Sequence, residues 1–495
     1  MLRPLIQRPR RHAVNRPRER GVTMALVAVA IFSIVAMAGL SIDVGTLYQA
    51  SAEAQRAADS AALAAARAIS ISGITGAATP ATDTSSWQQI CGGATSIATE
   101  IAVSVAQQNS VGGATIPAAS VLVTYSASTS GVSPGSADCS GLTAAFGVNP
   151  VVTVQVTQPS LPTYFSRIWG RTGSSVSATA SAEVFNPSNS GAYAGQMVPV
   201  QPRCVKPWIV PNIDPLNPNI PITGCSPSAP NQCQPFVNLP DGSIVNPGIL
   251  PVSPPGVIGE QFWLLVDCLP GTPCSLLGGN TMPQANFPPT KLPNLEYLPG
   301  QASFTSVAVP SDGSDACLAV STAGNYAHAI AGCDQSTVYQ CGKPGQNIVD
   351  LSENPGTSDT TYGVQCLTHQ GTAGAGLSGQ DALNPAGAPP TYPFQIQAGF
   401  SNPLVLKAVA NLGDVITSSS SIVSLPIYDN SATTIAGTGT TPVTVVGFLQ
   451  VFINYVDTTG NVNVTVLNVA GCGNAAAGTA LNGTSPVPVR LITPP

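Results

Sequence analysis

"RERGVTMALVAVAIFSIVAMAGLSIDVGTLYQASAEAQRAADSAALAAARAI", residues 18–69, is the stretch on which the fold turns. It opens on arginines, runs through residues 22–42 without a charge, and passes into an alanine-rich segment with no Pro or Gly at 46–70. An uncharged run of 21 residues is long enough to cross a hydrocarbon layer of about 30 Å as a helix. Alanine is the best helix former. Helical continuity from 22 to 70 therefore predicts a rod of about 70 Å, half in the membrane and half projecting from it.

A cleaved signal peptide is the competing reading. It needs an apolar core of about 7–15 residues and a small-residue cleavage site, and Ala36, Met37 and Ala38 supply an A-x-A. The chain beyond argues for an anchor that stays. Leu47, Ala50, Ala54, Ala57, Ala61, Ala64 and Ala68 form a small-residue stripe at heptad-like spacing, with Glu53, Arg56, Asp59 and Arg67 off it. Such a stripe is a helix-packing surface. It closes either against a partner helix or against the protein's own β-structure. Gly21 and Ala38 are the two candidate processing positions.

Charge is placed very unevenly. Arg3, Arg8, Arg10, Arg11, Arg16, Arg18 and Arg20 hold seven of the 17 basic residues, and the rest of the chain is acidic. A basic tail beside an apolar block places the N-terminus in the cytoplasm and the bulk outside. A nucleic-acid-binding arm would also be basic, but the apolar block begins directly after Gly21, so no nucleic acid is expected. Only 8% of the 495 residues are charged, against about 25% in a typical soluble domain. With abundant Ser, Thr, Ala and Gly, this composition reads as extracytoplasmic β-structure more than as a cytosolic enzyme.

All twelve cysteines lie beyond the apolar block: Cys91, Cys139, Cys204, Cys225, Cys233, Cys268, Cys274, Cys317, Cys333, Cys341, Cys366 and Cys472. An even number confined to the exported part predicts disulfides in an oxidising compartment. Cys91 and Cys139 are the only two within 71–190 and are expected to pair.

The N-terminal segment resembles that of the Flp (Tad) pilus-assembly TadG-like family. The matching marks are Gly21 after arginines, "GLSIDVG" at 39–45, Tyr48, and "QRAADSAALAAA" at 55–66. A second stretch, "VVTVQVTQPSLPTYFSRIWGRTGSSVSATASAEV" at 151–184, is similar to the family in its strand, proline break, aromatic-Arg-Gly element and second strand. The resemblance covers roughly residues 18–185. It implies a pilin-like layout and pilin-like or pilus-assembly partners met through the N-terminal helix. One departure stands out. Pilins cut after a Gly usually carry Glu at the fifth mature position, which counted from Gly21 is Leu26, and 22–42 contains no acid. TadG-like proteins are by resemblance more often anchored accessory components than major filament subunits.

The chain divides by composition into a basic tail at 1–21, a transmembrane helix at 22–42, a helical stalk at 43–70 and a pilin-like α/β unit at 71–190. A Pro-rich, Cys-containing region follows at 191–300, then a Gly/Ser/Cys-rich loop region at 301–390 and a C-terminal β domain at 391–495. Helical spacing marks 96–108, and alternation marks strands at 121–128, 151–157 and 175–184. "EQFWLLVDCL" at 260–269 contains a buried strand, and residues 444–471 read as two strands around a turn at 457–460. The expected fold class is α+β: one transmembrane helix continuing into an alanine-rich pilin-like helix, then mainly antiparallel β-structure with Pro/Gly/Cys-rich loops.

Motifs that suggest chemistry fail on their context. "GAGLSG" at 374–379 lacks the preceding strand and following helix of a dinucleotide site. "GVSPG" at 131–135 puts Pro134 where a nucleophile elbow needs an N–H. "YDNSAT" at 428–433 is similar to the metal site of von Willebrand A domains, but too little chain follows Asp429 for that domain. Cys366 with His369, and His328 near Cys333, provide parts of a zinc set, yet disulfides are the expected use of these cysteines. No catalytic, cofactor-binding or metal-ligating residue is expected, and no small-molecule substrate. The expectation is a non-catalytic, single-pass inner-membrane accessory component, minor pilin or pseudopilin-like, of a Tad/Flp-type pilus or secretion apparatus. The alternative is a membrane-tethered surface or adhesive protein using the same anchor.

Overall fold

The computed structural model describes residues 20–72, 75, 84–127, 135–142, 146–147, 149–163, 165–166, 170, 173–187, 200–216, 234–239, 242–246, 250, 256–266, 294–301, 307–310, 314–340, 347–350, 357–370, 379–384, 394–430, 439–472, 481–483 and 485–492. Most of the basic tail lies outside them.

Helix α1, Arg20–Ile71, is unbroken over 52 residues, or about 78 Å. Its hydroxyl side chains turn inward on the helix itself: Ser33 Oγ donates to Val29 O and Ser41 Oγ to Met37 O. Apolar surroundings therefore meet few open polar groups along this part.

The second half of α1 lies on a four-stranded antiparallel sheet. Its strands are β1 (Val121–Ala127), β2 (Pro150–Leu161) and β3 (Ser174–Val184), with a fourth, Val489–Ile492, at the outer edge of β3. Alternation aims Val152, Val154 and Val156 of β2 and Ala178, Ala180 and Ala182 of β3 at the helix. Small side chains on both surfaces let helix and sheet approach closely. Helix α2, Thr84–Cys91, and helix α3, Ile97–Gln107, complete this unit. α3 adds Ala98, Ala102 and Ala106 to the same core. Cys91 pairs with Cys139 at a Cα separation of 5.5 Å, and Trp87 stacks on Phe146 beside the bridge.

The second body is a closed six-stranded barrel. Its strands are β4 (Trp208–Pro211), β5 (Gln261–Val266), β6 (Asn294–Pro299), β7 (Ile422–Tyr428), β8 (Val445–Val456) and β9 (Val462–Gly471), in the order β7-β8-β9-β5-β6-β4. The β5/β6 and β4/β7 pairs are parallel and the rest antiparallel. Strand β9 is buried along its whole length, so it carries apolar residues on both faces. The expected β8–β9 hairpin forms, and Asp457 accepts from the Thr459 and Asn461 amides in its turn.

Three sequence expectations need correction. The Pro-rich region and the C-terminal β domain do not stand apart, because β4, β5 and β6 close the barrel with β7, β8 and β9. Prolines shorten the first three strands without excluding them from the ladder. The strand Val489–Ile492 leaves the C-terminal region and joins the N-terminal sheet. There Arg490 pairs with the buried Glu183 and stacks over Phe185. The region 301–390, expected as loops, contains helices α4 (Asp315–Ser321), α5 (Asn325–Ala331) and α6 (Thr357–Thr368). They are too short for a clear periodic signal, but Ser314 caps α4 through the Cys317 amide.

Helix α1 also reaches the barrel. Ile71 belongs to the barrel's apolar core, Asn468 Nδ2 donates to Ser70 O, and Ser70 Oγ donates to Val487 O at 3.0 Å.

Candidate functional site: the anchor helix and its collar

The first half of α1 has almost no protein around it. Met24, Phe32, Ile34 and Met37 are each about two-thirds exposed or more (78, 68, 66 and 70%), on different sides of the helix. A core helix of a soluble protein would bury such residues. Of the described helices, α1 alone is long and apolar enough to cross a membrane, and its most apolar window is 6% buried.

The exposed half ends at a collar. Gly39 packs so closely on Phe165 that a Cβ there would collide with the ring. One turn on, Asp43 is 5% exposed and accepts hydrogen bonds from the backbone amides of Phe165 (3.1 Å) and Ser166 (2.8 Å). A carboxylate binding two amides is a charge-assisted clasp, stronger than its neutral counterpart. The collar thus joins the "GLSIDVG" stretch to the aromatic segment after β2. Further along, Glu53 accepts from the Gly112 amide (2.7 Å) and from Gln49 (3.1 Å), and these bonds hold its carboxyl below the usual range. Gly112 sits at φ +60° in the turn that presents this amide, a conformation glycine adopts without strain.

Beyond the collar the stripe is closed. Ala50, Ala54, Ala57, Ala61 and Ala68 are buried, while Leu47 and Ala64 are half-buried at its margin. Ala58, Ala62, Ala65 and Ala66 are buried too, which widens the stripe to a face enclosed by α3 and the sheet. The structure seats this face inside the chain's own unit, the second of the two options open from the sequence. Gly21 lies in the first turn of α1, and Ala38 lies within the unbroken helix beside Gly39.

Two further bridges join Cys204 to Cys333 and Cys317 to Cys366, and Cys472 is disulfide-bonded as well. Cys225, Cys233, Cys268, Cys274 and Cys341 fall outside the described residues. Cys333 and Cys366, the cysteines of the partial zinc set, are therefore committed to sulfur, and His328 Nε2 contacts Val320 O at 2.8 Å. Among the described residues no group of three or more His, Cys, Asp or Glu side chains is arranged for a metal. The serine of "GVSPG", most of "GAGLSG" and the end of "YDNSAT" lie outside the described residues.

A cleft of about 1080 Å³ opens where α1, the barrel and α5 meet, lined by Arg67, Lys206 and the hydroxyls of 417–420. Lys206 Nζ donates to Ile330 O and Gly332 O, both at 2.7 Å, and burial lowers its pKa to about 7. It staples α5 to the barrel. The roles of Asp43, Phe165 and Lys206 had no separate signal in the sequence, although one acid just after an uncharged span marks a candidate collar.

Residues 21–68 match the Tad family model, described as "Putative Flp pilus-assembly TadE/G-like". This segment is TadE/G-like. The match covers the span, the collar residues Gly39 and Asp43, and the alanine face, about a tenth of the chain. It stops short of the second stretch that resembles the family, 151–184, which the fold nevertheless docks onto the TadE/G-like helix through β2, β3 and Phe165. No curated protein and no solved structure matches the chain.

Proposed function

We propose that the protein is a non-catalytic accessory component of a Tad/Flp-type pilus assembly or secretion apparatus, of minor pilin or pseudopilin type. It is held by α1 in the bacterial inner membrane, with the basic tail in the cytoplasm and the α/β unit and barrel outside. The observation that carries this reading is the coincidence of the TadE/G-like match with one continuous helix, apolar and exposed before Gly39 and packed on the sheet after Asp43. A cleaved leader would need neither the collar nor the closed alanine face.

The reading favours a role in placing a folded domain at the membrane, with contacts to pilin-like partners made by the exposed half of α1. Carbonate-washed membranes should retain the full-length chain, and protease added outside should remove all but the anchor. Affinity-purified protein should bring Tad pilus components with it, and deletion of the gene should abolish or shorten pili. Normal piliation with loss of surface attachment alone would support the tethered adhesin instead. Recovery of a soluble fragment beginning at Gly39 would overturn the anchor.

A further inference from the structure

One end of the barrel holds two buried carboxylates that the anchor does not explain. Asp214 follows β4 and Glu260 immediately precedes β5, and the two are 1% and 0% exposed. Backbone bonds fix the approach: Asp214 N donates to Gln234 O (2.8 Å), Val466 N to Glu260 O (2.8 Å) and Val257 N to Asn246 O (3.0 Å). Asn246 Nδ2 lies between Asp214 Oδ2 (3.2 Å) and Gln234 Oε1 (3.3 Å), which gathers two side-chain oxygens around one point. Neither carboxylate oxygen of Glu260 receives a hydrogen bond, although both are enclosed.

An isolated buried carboxylate costs several kcal/mol, and a second one beside it adds repulsion. Burial first, and then the charge of Asp214, push the Glu260 carboxyl well above its usual range. The chain has no Lys or Arg between Lys206 and Lys291, so no nearby stretch of sequence brings a compensating cation. The charge is met either by a proton shared between the pair or by a bound cation. Two carboxylates with a third, neutral amide oxygen suit a hard divalent ion, which takes oxygen ligands and completes its shell with water or backbone carbonyls.

We propose that Asp214 and Glu260, with the amide oxygen of Gln234, form a buried calcium-type divalent-cation site at this end of the barrel. Asn246 positions two of the three side-chain oxygens through its Nδ2. The ion would tie the segment after β4 to the start of β5, and so brace the closure of the barrel.

The test uses the full-length protein in detergent, stripped with EDTA and titrated with CaCl₂. Calorimetry should find one ion per chain at this site, and the unfolding temperature should rise as calcium is added. Glu260→Gln removes a repulsive charge and should fold, with calcium affinity reduced at least about tenfold, as loss of even an outer-shell ligand partner commonly does. Asp214→Asn should lose the calcium response likewise, which guards against a folding defect in either variant alone. The proposal is overturned if the unsubstituted protein neither binds calcium nor is stabilised by it. It also fails if both folded variants bind calcium as tightly as the parent. A Glu260→Gln protein more stable than a calcium-insensitive parent would identify a proton-sharing pair.

Discussion

The two halves of α1 share one backbone and opposite surroundings. Before Gly39 the side chains are large, apolar and exposed; after Asp43 they are small, and one whole face is enclosed. If hydrophobicity alone set burial, the first half would be the core. The difference teaches that the outer half is apolar because its solvent is lipid, while the inner half is alanine because a sheet and α3 must approach its backbone. The collar marks the change, where a glycine admits an aromatic ring and a carboxylate binds two amides.

The sharpest way to break the comparison is to give the inner half the side chains of the outer half. Ala57→Leu with Ala61→Leu forces two large groups into fully buried positions. Overpacking of this kind costs about 1–3 kcal/mol at each site. Limited proteolysis should find the exported α/β unit opened, while carbonate extraction still leaves the chain in the membrane. A protease-resistant double variant would mean that the alanine face is not closed in solution.

The converse change gives the outer half an inner-half polarity. Phe32→Asp places a charge near the middle of the span, at a cost to insertion of about 3 kcal/mol. The expected result is loss of membrane retention with no change in the unfolding temperature of the exported part. An unaltered membrane fraction would count against a lipid-facing helix.

At the boundary the two expectations differ in sign. Helix propensity alone predicts that Gly39→Ala stabilises by about 0.5–1 kcal/mol. The collision with Phe165 predicts a net loss of about 1–2 kcal/mol instead. Thermal unfolding of the two proteins in the same detergent decides which holds.

The smallest effect belongs to Asp43→Asn, which keeps the shape and removes the charge. The difference between a charged and a neutral acceptor is about 1 kcal/mol. Hydrogen exchange at the Phe165 and Ser166 amides should accelerate while the rest of the sheet is unchanged. Equal protection in the two proteins would show that the carboxylate charge contributes nothing to the clasp.

Of the candidate site, the span and the stripe were legible because each is a local pattern: an uncharged run of sufficient length, and alanines recurring on one helix face. Asp43 and Phe165 were visible as letters in two stretches that resemble one family, but not as a contact. They lie 122 residues apart, and nothing local says that a particular amide pair will meet a particular carboxylate. Asp214 and Glu260 were less legible still, since their burial depends on strands that close from distant parts of the chain. The alanine stripe could equally have served a partner helix; that it faces β2 and β3 follows from small residues on those strands.

By itself the sequence determined the long helix, the alternating strands of the first sheet, the β8–β9 hairpin and the oxidising character of the exported part. These follow from side-chain periodicity, helix propensity and cysteine placement, all of which act over short distances. Only the tertiary structure decided that Pro-rich and C-terminal segments close one barrel, that Val489–Ile492 returns to the N-terminal sheet, and that Arg490 meets Glu183 there. Strand pairing joins backbones through hydrogen bonds that every residue but proline can offer. The choice of partner therefore rests on which faces can be buried together, and that is a property of the whole chain.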